Sequence, residues 1–92
     1  MIVRILGEGQ FELEARAAEQ LNALDKQLQV RLDGDDEAAF GDVLSGMLEL
    51  VRAVGCALPA DALTPSDAIL PPADASLADV RALLGAEGLV PD

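Results

Sequence analysis

Apolar and polar positions recur along this chain with two different periods. At the front, Ile2, Val3, Ile5 and Leu6 form one apolar run, Gly7-Glu8-Gly9 follows, and Phe11 and Leu13 then alternate with Gln10, Glu12 and Glu14. Alternation with period two belongs to a half-buried strand, and β-branched residues fit extended backbone. Two glycines in a three-residue link supply the positive φ that a hairpin loop needs. The pattern predicts a β-hairpin over residues 1–13, with strands at 1–6 and about 10–13. The first strand is apolar on both faces, which predicts cover on both sides. The second has one apolar and one wet face.

From residue 13 the period lengthens. Leu13, Ala17, Leu21, Leu24, Leu28 and Leu32 follow one another at spacings of 4, 4, 3, 4 and 4, while Glu19, Gln20, Asp25, Lys26, Gln29 and Arg31 occupy the other faces. That is one apolar stripe on a helix. It predicts a helix over 14–33, ended by Gly34 in a left-handed cap. Asp35 or Asp36 then caps a second helix, with Glu37 in its first turn where the dipole favours a negative charge. Phe40, Leu44, Met47, Val51 and Val54 repeat at 4, 3, 4 and 3, and Val43, Leu48 and Leu50 widen the stripe. The second helix runs over 36–54 and stops at Gly55. So short a link makes the two helices an antiparallel hairpin. Gly41 and Gly46 lie within the second helix, each costing about 1 kcal/mol against Ala. Either a neighbour approaches closely there or the helix merely tolerates them.

Residues 56–75 contain Pro59, Pro65, Pro71 and Pro72 and also Leu58, Leu63, Ile69 and Leu70, which need cover. This reads as an extended arm over the core, with a short strand at Asp67–Leu70 beside the first strand and bounded by prolines. Ser76 and Asp79 form a capping-box-like start to a helix over 77–84, whose buried stripe is Leu77, Val80 and Leu84. The predicted fold class is α+β. A small N-terminal β-hairpin, with a third short strand near 67–70, packs on an antiparallel helical hairpin plus a short C-terminal helix, all within one domain over residues 1–92.

Composition narrows the chemistry. The 92 residues carry 17 acidic and 6 basic side chains, a net charge of −11, and no histidine. Phosphate backbones are repelled, so no nucleic-acid partner is expected, and direct adsorption to an anionic lipid surface is disfavoured. A basic protein partner is attracted. Only Phe11 and Phe40 are aromatic, so the core is aliphatic. The opening run is too short for a secretory signal, being interrupted by Gly7 to Gly9, and no apolar stretch reaches the length of a membrane span. With the lone Cys56, which forms no intrachain disulfide, this predicts a cytoplasmic protein.

Candidate catalytic groups fail one by one. Without histidine there is no Ser-His-Asp or Cys-His arrangement and no zinc site of the usual kind. Cys56, placed after a helix C-terminus, has no activating base or cation beside it. In Asp33-Gly34-Asp35-Asp36-Glu37 the acids fall at the first, third and fifth positions of a calcium loop. Ala38 stands where its glycine belongs, and Leu44 where its bidentate glutamate belongs. No metal, no cofactor and no enzymatic activity are expected.

The stretches MIVRILGEGQFEL, LNALDKQL and SDAILPPADASLADVRALLGAEGLVPD together resemble PspAA, the PspA-associated protein family of phage-shock-type envelope-stress systems, mostly in actinobacteria. The most specific matches are Ile2–Leu13, Asn22–Asp25, Ser66–Asp74 and Gly88–Pro91; residues 31–60 match through helical pattern more than identity. The resemblance implies an accessory or adaptor role beside PspA, a coiled-coil protein that associates with the inner membrane, and hence recruitment to that membrane through the partner. It carries no catalytic residues. Asp33, Asp35, Asp36 and Glu37, at the tip of the helical hairpin, are the candidate partner-binding residues. The hairpin's open edge, available for strand addition, or an apolar helix-docking groove are the other candidate surfaces. Two alternatives stand beside the adaptor: a self-associating structural module forming a homodimer through the wide stripe of the second helix, and an acidic decoy that occupies a basic protein surface.

Overall fold

The computed structural model describes residues 1–34, 36–61 and 64–83. The elements in chain order are β1 (Ile2–Ile5), β2 (Gly9–Glu12), α1 (Ala15–Asp33), α2 (Glu37–Val54), β3 (Cys56–Ala57), β4 (Ala68–Leu70) and α3 (Leu77–Leu83). The α+β class, the hairpin of long helices and the third strand near 67–70 are as the pattern predicts.

The N-terminal hairpin closes through a turn in which Glu8 N–H donates to the Ile5 carbonyl at 2.9 Å. Gly7 at φ +87° and Gly9 at φ +116° occupy the left-handed region, where a Cβ would be strained. The sheet has four strands in the order β3-β2-β1-β4. β1 pairs antiparallel with β2 and parallel with β4, placing Val3 opposite both Phe11 and Ala68, and Ile5 opposite Leu70. Both edges of the N-terminal hairpin are therefore paired, which removes it as a strand-addition edge. The free edges belong to the two-residue β3 and the three-residue β4. Such short strands, with Pro71 and Pro72 directly after β4, are poor templates for a further strand.

Val3, Ile5, Ala68 and Leu70 face α1 and α2 in one core with Leu21, Leu28, Leu44, Met47, Leu48, Val51 and Val80. β3 and β4 lie at opposite edges, so the chain between them has to cross the sheet. Thr64 and Ser66 lie over the face away from the helices. There the Gln10 side chain, 7% exposed, donates through Nε2 to the Thr64 carbonyl at 2.7 Å and to Ser66 Oγ at 2.9 Å. Asp67 then grips Ile2 twice: its N–H donates to the Ile2 carbonyl at 2.7 Å, and its Oδ2 accepts from Ile2 N–H at 2.8 Å. The expected wet face of β2 is thus partly covered, whereas the expected second cover of β1 is partial. Ile2 is buried, but Arg4 is exposed and Leu6 is 38% exposed.

Other local expectations are corrected. Gly34 ends α1 at φ −85°, ψ −2°, a right-handed conformation, because the chain turns directly into α2 through Asp36, whose N–H reaches back to the Arg31 carbonyl. Val54 and Ile69 are 51% and 45% exposed, so the stripe of α2 stops one turn early and the arm leaves Ile69 uncovered. Cys56 is an exposed strand residue. Asp25, assigned by the pattern to a polar face, is fully buried. Leu84 and the C-terminal glycines lie outside the described residues.

Gly55 has a clear steric reason. A Cβ there would sit 2.5 Å from the Val51 carbonyl oxygen and 3.0 Å from Phe11 Cβ. The C-terminus of α2 touches the sheet at this point, and only a residue without a side chain fits.

Candidate interaction surfaces

Three exposed features stand out on the surface, and the fold treats them differently. The first is the tip of the helical hairpin. Asp33 ends α1 and Asp36 caps α2, accepting a hydrogen bond from Ala39 N–H through Oδ1 at 3.1 Å. Glu37 opens α2, and all three side chains are exposed. Asp35 lies outside the described residues. Asp36 and Glu37 sit where the N-terminal end of a helix stabilises negative charge, while Asp33 sits at the C-terminal end of α1. Arg81 offsets part of that unfavourable placement: its Nη2 donates to the Leu32 carbonyl at 2.6 Å and ties α3 to the last turn of α1. Among the described residues, no group of three or more His, Cys, Asp or Glu is arranged to hold a metal ion.

The second feature is the turn of the N-terminal hairpin. Glu8 projects from it and meets Arg52 of α2 in a two-pronged ion pair, Nε to Oε1 at 2.8 Å and Nη2 to Oε2. The hydrogen bond from Arg52 holds the Glu8 carboxyl below its ordinary value, and the same bond raises the guanidinium. The pair is exposed, so it fixes the turn against α2 rather than adding much stability.

The third is apolar. On the outer face of the helical hairpin, away from the sheet, lies a groove of about 560 Å³. Ala23 and Leu24 of α1 form one wall, and Gly46, Leu50 and Ala53 of α2 form the other; Gln20 and Glu49 are its polar members. A Cβ built on Gly46 meets nothing within 4 Å, so no neighbour among the described residues uses the space this glycine leaves. A second, smaller hollow of about 470 Å³ lies between Leu6, Pro71, Pro72 and α3, with Asp74 and Asp79 on its border.

Neither hollow gathers chemistry for catalysis. Cys56 is exposed in β3, opposite Glu12 of β2. The buried Asp25 accepts from Gln29 Nε2 at 3.4 Å, and no buried side-chain nitrogen or oxygen among the described residues lacks a partner. Asp25 was legible in one respect: it lies four residues after Leu21 and three before Leu28, in phase with the buried stripe. Charge alone had placed it outside. No helix among the described residues is long and apolar enough to cross a membrane.

No curated protein and no solved structure matches this chain. The family model for PspAA, the PspA-associated protein, matches residues 1–92, the whole chain, as the resemblance of its sequence stretches implied, and the chain belongs to that family.

Proposed function

We propose that this protein is a non-enzymatic adaptor in a PspA-type envelope-stress response, and that it acts by binding a PspA-like coiled-coil protein directly. The observation that carries the reading is the family match over residues 1–92, whose name ties the chain to PspA. The surface supports it: exposed acids and an apolar groove suit protein contact, and no activated nucleophile or base is present among the described residues. The adaptor works in the cytoplasm and reaches the inner membrane through its partner. Asp33, Asp35, Asp36 and Glu37 form the acidic tip that meets a basic stretch of that partner. The decoy alternative has less support, because exposed acids are spread over β2, both long helices, the arm and α3, at Glu12, Glu19, Glu49, Asp61 and Asp79 among others.

The test is a binding measurement between the purified chain and the PspA-like protein of the same genome. Complex formation at tens of micromolar or below, about 6–7 kcal/mol of affinity, is the expected result. Absence of a complex at that concentration overturns the adaptor reading.

A further inference from the structure

The groove on the outer face of α1 and α2 has the shape and chemistry of a seat for a third helix. We infer that it receives one amphipathic helix of the partner, apolar along the side that enters and lined with Lys or Arg along the border that lies over α2. The inference rests on the adaptor reading and adds where the contact is made and what kind of segment makes it.

Three observations support this occupant. The walls are two neighbouring antiparallel helices, and the shallow groove between them is of the kind that takes a ridge of side chains from another helix. The lining is small at Ala23, Gly46 and Ala53 and apolar at Leu24 and Leu50. Gly46 leaves room for close approach, and nothing among the described residues fills it. A volume of about 560 Å³ would also suit a small molecule, but such sites converge several polar groups on the ligand. Here the polar members are only Gln20 and Glu49.

Charge separates a foreign helix from a second copy of this chain. Glu49 borders the groove, and Asp42 lies seven residues before it on the same edge of α2, exposed to solvent. Two copies would bring together chains of −11 each, which repel. A helix with a basic border meets the same edge with opposite charge.

Gly46→Leu tests this with little risk to folding, because the new side chain projects into open groove and leucine is a better helix former than glycine. Binding of the PspA-like protein is measured by titration calorimetry, with circular dichroism showing that the variant keeps its helix content. The expected result is affinity weakened by about tenfold or more at unchanged helicity. Glu49→Lys weakens binding as well, and more strongly at low salt. Binding by the unsubstituted chain together with unchanged affinity of Gly46→Leu overturns the groove and leaves the adaptor standing. Failure of the unsubstituted chain to bind overturns both. Light scattering of the chain alone supplies the remaining outcome: a dimer that Gly46→Leu converts to monomer overturns the foreign-helix occupant in favour of a second copy.

Discussion

Phe40 is 2% exposed between α1 and α2, and it carries the sharpest single-residue prediction. Truncating a buried Phe costs about 3–5 kcal/mol, and an unpaired buried charge adds to that. A domain of this size has roughly 5–15 kcal/mol in all, so Phe40→Asp leaves it unfolded or molten. Calorimetry or far-ultraviolet circular dichroism reads the result, since the chain contains no Trp or Tyr. A cooperative transition like that of the unsubstituted chain would contradict it. Two glycines give an opposed pair. Gly46→Ala adds a methyl in open space and stabilises the chain by up to about 1 kcal/mol. Gly55→Ala forces a Cβ to within 2.5 Å of the Val51 carbonyl oxygen and destabilises it by roughly 1–3 kcal/mol. Thermal melts of the two variants should move in opposite directions.

At the scale of elements, the structure is held by a few ties between segments far apart in sequence. The Glu8–Arg52 pair joins the hairpin turn to α2, 44 residues away. Its bound Glu8 titrates below the ordinary value of 4.5. A carboxyl with a depressed folded pKa contributes stability above its unfolded pKa and loses it as pH falls through the folded one. Arg52→Gln therefore lowers the melting temperature slightly at neutral pH and not at all once the pH is well below the folded pKa. Melts across that acid range distinguish this from a pH-independent packing loss, which would persist at low pH. The cap of α2 is the second element-scale case. Asp36→Ala removes the acceptor for Ala39 N–H and costs about 1 kcal/mol, whereas Asp36→Asn keeps a good cap and should be nearly silent. At the start of α3, Ser76 and Asp79 cap each other, Asp79 N–H donating to Ser76 Oγ and Ser76 N–H to Asp79 Oδ2, both at 3.1 Å.

For the whole molecule, the net charge of −11 acts on encounter more than on the bound state. Association with a basic partner should slow as salt rises from low to physiological strength, while dissociation changes less. Neutralising the tip with Asp35→Asn, Asp36→Asn and Glu37→Gln together should slow association without unfolding the chain, because Asn at position 36 preserves the cap of α2. Surface plasmon resonance at several salt concentrations measures both rates. Binding that ignores salt yet is lost in Gly46→Leu would leave recognition to the groove and make the acids a solubility device. Millimolar Ca²⁺ should shift the melting temperature no more than Mg²⁺ at the same concentration. The residues around Asp33 and Glu37 form a helix end and a cap, and Ala38 and Leu44 stand where a calcium loop needs Gly and Glu. A shift specific to Ca²⁺ would contradict this.

What the sequence determined was local in origin. The change of period at residue 13, the glycines at 7 and 9, the acid before Ala39 and the Ser76–Asp79 pair each act within a few residues of themselves. The hairpin, both long helices, the cap of α2 and the start of α3 were therefore legible. So was β4, because Ala68–Leu70 is a short apolar stretch fenced by prolines and β1 needed a neighbour. The tertiary structure decided what depends on approach between distant segments. β3 is two exposed residues with no pattern, and it exists because Gly55 lets the end of α2 touch β2. Asp25 is buried through its phase on α1, against its charge. The arm crosses the sheet because β3 and β4 fall at opposite edges, and Gln10 is buried only by that crossing. The groove at Gly46 is the same kind of feature. A glycine in a helix reads alike whether a neighbour fills its space or not, and only the packing of α1 against α2 left that space unfilled by the described residues.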